Sequence, residues 1–247
     1  IAVSVPISLV IFFASFVQGT AGFGFGVFSI PLLTAFFLRP EVALPLSAAA
    51  TIFQSLSGVV RYRRHINIRE ILLLCLYCNI GTAGGIYALR TLTRFNPELF
   101  SVVTGSVLLV IITLRLVLKI EPKEHLSPFW MITALLAGGF VCGLAGVGGP
   151  IIVLWVMANR WKSIRIRVTL WSIFLSITIL QTGLYWVLFG KDAFYGMVSG
   201  LILIPVVLLG SFIGIHTGNR LDIKKFQVVV FTMIYLMSIY SIVKIFI

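Results

Sequence analysis

The sequence predicts an all-α polytopic membrane protein of two inverted repeats, each a glycine-broken re-entrant helical hairpin plus three transmembrane helices. Of its 247 residues, 60% are hydrophobic and 11% are charged, whereas a soluble domain carries roughly 25% charged residues. The apolar residues form long uncharged runs, and glycine-rich motifs interrupt two of these runs. We therefore expect lipid, rather than water, to cover the outer surface of the protein.

The apolar segments fall into two sets of four. The first repeat, over 1–120, contains a long segment at 3–37 and shorter ones at 42–60, 70–89 and 98–118. The second, over 124–247, contains a long segment at 129–158 and shorter ones at 168–189, 194–217 and 226–246. About 20 apolar residues in a helix cross the hydrocarbon core, so each shorter segment is predicted to cross once. No signal peptide is visible, and because the first residue is Ile1 we expect the natural N-terminus to lie upstream.

Each long segment carries a glycine motif near its middle. The motifs read GTAGFGFG over 19–26 and GLAGVGGP over 143–150, and they align at an offset of 124 residues. A second correspondence, at an offset of 129, relates Gly81 to Gly210 and Gly85 to Gly214. Internal repeats of this kind are common in secondary transporters, whose two halves often insert in opposite orientations.

The positive charges decide between two topologies. If all eight segments crossed, the Lys and Arg residues would divide almost evenly, with nine on one side and ten on the other. If the two long segments return as hairpins, 14 lie inside and 5 outside, as the excess of basic residues in cytoplasmic loops requires. The hairpin topology inverts one repeat relative to the other. Because the net charge of +12 sits in short loops between apolar runs, we expect no nucleic-acid partner.

The glycine motifs are the strongest functional signal. A helix break inside the bilayer exposes backbone groups at several kcal/mol each, so it survives only when buried in protein or lining a polar cavity. Pro150 fits the start of a new half-helix, whose N–H groups and dipole would attract an anion. The predicted substrate-binding residues are Gln18, Thr20, Gly22, Gly24, Gly26, Gln54, Cys142, Gly146, Gly148, Gly149, Pro150 and Gln181.

Alternative roles remain for several of these residues. Glycines four residues apart, including Gly22 with Gly26, also allow close helix packing. We favour packing for Gly81 with Gly85 and for Gly210 with Gly214, and cavity lining for the two glycine motifs. Gln54 and Gln181 each lie in the helix that follows a glycine motif. Their amides are predicted either to donate to an anion or to form an interhelical hydrogen bond, and the two readings are equally supported.

Several function classes are disfavoured. The seven acidic residues lie at or beyond segment ends, whereas proton and cation transporters usually keep a carboxylate within the membrane. Cys75 and Cys78 have C-x-x-C spacing but no accompanying histidine, so we expect them to pack against a neighbouring helix. The sequence therefore predicts no catalytic residue, metal or cofactor, and a site that holds an anion through neutral groups.

The paired motifs, GTAGFGFG and GLAGVGGP, resemble those of the TauE/SafE family, the sulfite exporter or TSUP group. The resemblance covers essentially the whole chain. It implies a multi-pass protein of the bacterial inner membrane that exports sulfite, sulfoacetate or another small sulfur-containing anion. We expect a secondary transporter working by alternating access, whose partners are the small anion and the lipid bilayer. An anion channel of the same architecture and a membrane scaffold stay open as alternatives, as does the oligomeric state.

Overall fold

The computed structural model describes residues 4–65, 67–95, 99–117 and 126–218, together with Thr232 and Tyr235. The described residues form helices and no β-sheet, which confirms the all-helical fold. The predicted first repeat contains α1 (Val5–Ala21), α2 (Phe25–Phe36), α3 (Pro40–Tyr62), a 3-10 turn (Arg63–His65), α4 (Ile68–Phe95) and α5 (Leu99–Val117). The second contains α6 (Pro128–Ala145), α7 (Gly149–Met157), α8 (Ser163–Phe189), α9 (Lys191–Ile202) and α10 (Ile204–Gly218). The last predicted segment, 226–246, lies outside the described residues except for Thr232 and Tyr235.

Several helices suit a membrane. Within the described ranges, four are long and apolar enough to cross one: Pro40–Arg61, Ile68–Thr93, Pro128–Ala145 and Ile164–Phe189. The pair α9 and α10 makes a fifth if it counts as one bent span. Large apolar side chains, including Leu72, Phe129 and Val187, point outward from these helices. An apolar exterior of this kind matches a lipid environment.

Both long segments break at their glycine motifs. The helix α1 ends at Gly22 with φ 82°, and α6 ends at Gly146 with φ 70°. Glycine reaches this left-handed conformation without steric cost, so it commonly ends helices. Pro150 lies in the first turn of α7, where its missing N–H is not needed. Each long segment is therefore a pair of helices joined by a tight turn.

The segment predicted as one helix over 194–217 is divided in the structure. The helices α9 and α10 meet at Leu203 with a bend of 53°. Pro205 has no N–H to donate to the carbonyl of Leu201, and its ring crowds that carbonyl. The corresponding helix of the first repeat, α4, runs through 28 residues without a break.

The first arm of each hairpin packs against the opposite repeat. The helix α6 lies along α4, and α1 lies along α10. Gly85 of α4 abuts the backbone of Phe140, and Gly214 of α10 abuts the backbone of Phe16, so a Cβ at either glycine would overlap backbone atoms. These glycine pairs therefore serve close helix packing, as their spacing predicts.

The remaining contacts between the repeats are reciprocal as well. The helices α3 and α8 pack against each other at the centre, while α3 also packs on α9 and α8 on α4. Exchanging the two repeats maps the α3–α9 contact onto the α4–α8 contact, and it maps the α3–α8 contact onto itself. This is the pattern that a pseudo-two-fold relation between the repeats would give, and the inverted insertion in the membrane stays a prediction.

Candidate functional site

The turns of the two hairpins touch each other. Gly26, in the first turn of α2, lies directly against the backbone carbonyl of Gly146, at the end of α6. Gly146 in turn faces the side chains of Ile30 and Leu44. A side chain at either glycine would force these turns apart. The fold thus brings together two glycine breaks that are far apart in the sequence.

A cavity of about 70 Å³ lies at this junction, between both hairpins and the helices α3 and α8. This volume accommodates a few water molecules or one small ion. No charged side chain of the described residues lines it. The polar or thiol side chains that line it are Gln18, Ser47, Thr51, Ser55, Cys142, Thr178, Gln181 and Tyr185.

Seven of the twelve predicted substrate-binding residues line this cavity, namely Gln18, Gly24, Gly26, Cys142, Gly146, Gly149 and Gln181. The other five lie outside its lining: Thr20, Gly22, Gln54, Gly148 and Pro150. Thr20 donates its hydroxyl to the carbonyls of Phe16 and Gly214, at 2.9 and 3.1 Å, and so belongs to the contact between α1 and α10. Gly148 packs against the backbone of α6, close to the Cys142 thiol.

The two glutamines make equivalent hydrogen bonds. The Gln54 amide donates to the carbonyl of Ser15 at 3.1 Å, and the Gln181 amide donates to the carbonyl of Cys142 at 2.7 Å. Each glutamine lies 39 residues after the residue it contacts. Both glutamines therefore form the predicted interhelical hydrogen bond, although only Gln181 also lines the cavity. Contact of either glutamine with a substrate stays a prediction.

Two helix N-termini face the cavity. At the start of α2, the side-chain oxygen of Gln18 accepts the N–H of Phe25 at 3.3 Å, which leaves the Gln18 NH₂ group as a donor. Gly26 and Val27 also line the cavity, and they lie in the first helical turn, whose N–H groups have no partner within a helix. Gly149 brings the N-terminus of α7 to the same space. Both helix dipoles are positive at these ends, which favours an anion.

The structure adds hydroxyl groups that the sequence analysis missed. Ser47, Thr51 and Ser55 follow one another at one-turn spacing along α3. The side chains of Ser55 and Tyr185 are fully buried, and within the described part of the chain their hydroxyls have no hydrogen-bond partner. Leaving such a group unpaired costs about 1–3 kcal/mol, so both are available to a ligand. The regular hydroxyl spacing in an apolar helix was the signal for the serines, whereas nothing in the sequence distinguished Tyr185.

Three polar or thiol side chains of α4, those of Cys75, Cys78 and Asn79, lie outside the cavity. Asn79 of α4 donates to Ser176 of α8 at 2.6 Å. Cys75 and Cys78 are buried free thiols in the apolar layer between these helices. Among the described residues, no three His, Cys, Asp or Glu side chains lie close enough together to hold a metal ion. The C-x-x-C spacing thus coincides with a packing surface.

The family comparison agrees with the resemblance seen in the motifs. A family model described as "Sulfite exporter TauE/SafE" matches residues 7–241. The match therefore spans both glycine motifs and every helix that lines the cavity. Comparisons with curated proteins and with solved structures give no significant match.

Proposed function

We propose that the chain, which belongs to the sulfite exporter TauE/SafE family, is a secondary carrier. It would export a small sulfur oxyanion across the bacterial inner membrane. Sulfite is the first candidate substrate, and sulfoacetate and other small sulfur-containing anions belong to the same class. The observation that carries the proposal is the small neutral cavity between the two glycine breaks. Its size favours a compact oxyanion over a bulky organic one.

The cavity supplies hydrogen-bond donors without a fixed positive charge. The donors are the N-termini of α2 and α7, the Gln18 amide and the hydroxyls of Ser55 and Tyr185. A hydrogen bond to a charged group contributes about 1.5–3 kcal/mol, so a few of them can replace part of the hydration of an anion. Because no cation lines the cavity within the described residues, the anion is not held by an ion pair and can leave again.

A carrier fits the structure better than a channel of the same architecture. Tyr185 and Leu44, at the cavity wall, belong to an apolar cluster that also contains Ile86, Leu89 and Phe100 and fills the interior toward the ends of α4 and α8. This cluster separates the cavity from the end of the bundle where Arg90 and Lys191 lie. The reciprocal packing of the repeats supports alternating access, in which each repeat adopts the arrangement of the other.

Radiolabelled flux into proteoliposomes tests the proposal. The substrates are sulfite, sulfoacetate, thiosulfate and sulfate, each measured with and without a membrane potential. Gly149→Val is the blocking variant, because a Cβ at Gly149 faces the Phe174 ring at 3.5 Å across the cavity without meeting backbone. Gly183→Val is the matched control, because a Cβ there has no atom within 4 Å.

The expected result is saturable flux of a sulfur oxyanion in the wild type and in Gly183→Val, and its loss in Gly149→Val. Flux no greater than that of empty liposomes for all four anions, in protein shown to be folded, would overturn the assignment. Multi-pass insertion in the bacterial inner membrane is tested separately, by fractionation of cell membranes.

A further inference from the structure

A second, larger cavity lies on the other side of the end of α1. Its volume is about 410 Å³, and the helices α1, α3, α8 and α10 surround it. Gly19 and Gly22 line this second cavity, whereas Gln18, between them in the sequence, lines the central one. The last turn of α1 therefore separates the two cavities.

Two arginines from opposite repeats line the second cavity. Arg61 comes from the last turn of α3 and Arg167 from the first turns of α8. The Trp171 ring and the hydroxyl-bearing residues Ser57 and Ser211 also line it. Among the described residues that line this cavity, none is acidic. This end of the bundle contains the two basic loops around 61–69 and 160–167, which the ion pair of Arg165 with Glu70 brings together.

The corresponding position in the other repeat has different surroundings. Gln54 and Gln181 occupy equivalent positions in the two repeats. The same separation in sequence makes Gly58 equivalent to Tyr185 and Leu44 equivalent to Trp171. Gly58 and Trp171 line the second cavity, whereas Tyr185 and Leu44 line the central cavity and belong to the apolar cluster. Within the described residues, this position therefore holds a glycine beside Arg61 in one repeat and the large Tyr185 side chain in the other.

We propose that the second cavity is a vestibule in which Arg61 and Arg167 bind the sulfur oxyanion before it passes Gly22 into the central cavity. This inference rests on the proposed function. A guanidinium group matches an oxyanion with two parallel N–H donors, and a cleft lined by one sign of charge raises the local concentration of its counter-ion. The vestibule thus supplies the electrostatic attraction that the neutral central cavity lacks.

The phosphate of an anionic lipid offers the same oxyanion chemistry. Leu208, Leu209 and Phe212 line the cavity and are partly exposed, so an acyl chain could lie along them. The two sources of oxyanion make different predictions. A substrate vestibule affects transport in any lipid, whereas a lipid site affects it only when anionic lipid is present.

The test measures sulfite KM and kcat in proteoliposomes for the wild type, Arg61→Gln, Arg167→Gln and the double variant. The double variant is expected to raise KM by about tenfold or more, with kcat little changed, because it loses local anion attraction. Its KM should also depend less on ionic strength. Arg64→Gln is the control, since it removes a charge at the same end from a residue outside the cavity lining.

The measurements are made in phosphatidylcholine alone and in phosphatidylcholine with phosphatidylglycerol. An equal rise of KM in both lipids supports the vestibule. A rise seen only with phosphatidylglycerol would assign the arginines to a lipid headgroup and overturn it, as would an unchanged KM while the wild type transports sulfite. If the wild type transports no sulfur anion, the proposed function fails on its own. Thermal stabilisation of the detergent-purified protein by sulfite then decides: stabilisation lost in the double variant supports the binding site, and stabilisation that is absent or unaffected overturns it.

Discussion

The Arg165 guanidinium contacts both carboxylate oxygens of Glu70, with Nη2 at 2.6 Å from Oε1 and 2.8 Å from Oε2. The same guanidinium lies over the Trp161 ring, 4.4 Å from its centroid. The ion pair joins the start of α4 to the start of α8. The two basic loops therefore lie at one end of the bundle. A topology in which all eight segments cross would place these loops on opposite sides, so the contact supports the hairpin topology that the charge count favours.

We predict that these two loops react from the same side of the membrane. Arg64→Cys and Lys162→Cys should be labelled by a membrane-impermeant maleimide in inverted vesicles, and Arg90→Cys and Lys191→Cys in right-side-out vesicles. Background should be low because the native thiols are buried. Labelling of the first two positions from opposite sides would rule out the hairpin topology.

We predict that adjacent glycines of α4 tolerate substitution differently. A Cβ at Gly85 would run into the Phe140 carbonyl, whereas at Gly84 the nearest atom belongs to the Phe140 ring, 3.7 Å away. Gly85→Val should lower the free energy of unfolding of the purified protein by about 1–3 kcal/mol, the usual cost of overpacking, and so lower its melting temperature. Gly84→Val serves as the matched control and should unfold close to the wild type. Equal melting temperatures for both variants would show that α4 and α6 do not pack as described.

We predict that the two unpartnered hydroxyls that line the central cavity, those of Ser55 and Tyr185, bind the substrate. Tyr185→Phe and Ser55→Ala each remove a hydroxyl donor with little change of shape. Each should raise the KM for sulfite by about tenfold or more, the loss expected for one hydrogen bond to an anion. Tyr195→Phe alters an exposed tyrosine and should leave KM unchanged. Wild-type KM values in both cavity variants would show that the anion binds elsewhere.

We predict different phenotypes for the two equivalent glutamines. Gln54→Ala and Gln181→Ala each lose one interhelical hydrogen bond, so both should reduce stability by about 1 kcal/mol. Only Gln181 lines the cavity, so only Gln181→Ala should also raise KM. Comparison of melting temperature and sulfite KM in the two variants separates these effects. A raised KM in Gln54→Ala at unchanged stability would contradict this assignment.

The breaks in the two long helices were predictable because their causes are local. Gly22 and Gly146 take a left-handed conformation that other residues rarely adopt. Pro150 has no N–H to donate, so it costs a helix no hydrogen bond only in the first turn. The bend at Pro205 was not predictable in the same way. Pro31 and Pro45 lie within the continuous helices α2 and α3, so proline alone does not decide where a membrane helix divides.

The composition of the cavity was only partly predictable. The glycine motifs located it, yet which motif residues face it depends on how α6 and α7 pack. Gly148 lies against α6, while the adjacent Gly149 lines the cavity. The position of Tyr185 depends on how α3 and α8 pack together, which no local pattern in the sequence encodes.

Counterflow of sulfite tests the central claim most directly. Proteoliposomes are loaded with unlabelled sulfite, diluted into a trace of labelled sulfite, and followed over time with the membrane potential clamped at zero. A carrier with an alternating site predicts a transient accumulation of label above the equilibrium level in the wild type and in Gly183→Val, and none in Gly149→Val. Non-saturable entry of label that rises only to the equilibrium level, equally in all three proteins, would contradict a carrier whose substrate site is the cavity between the two glycine breaks.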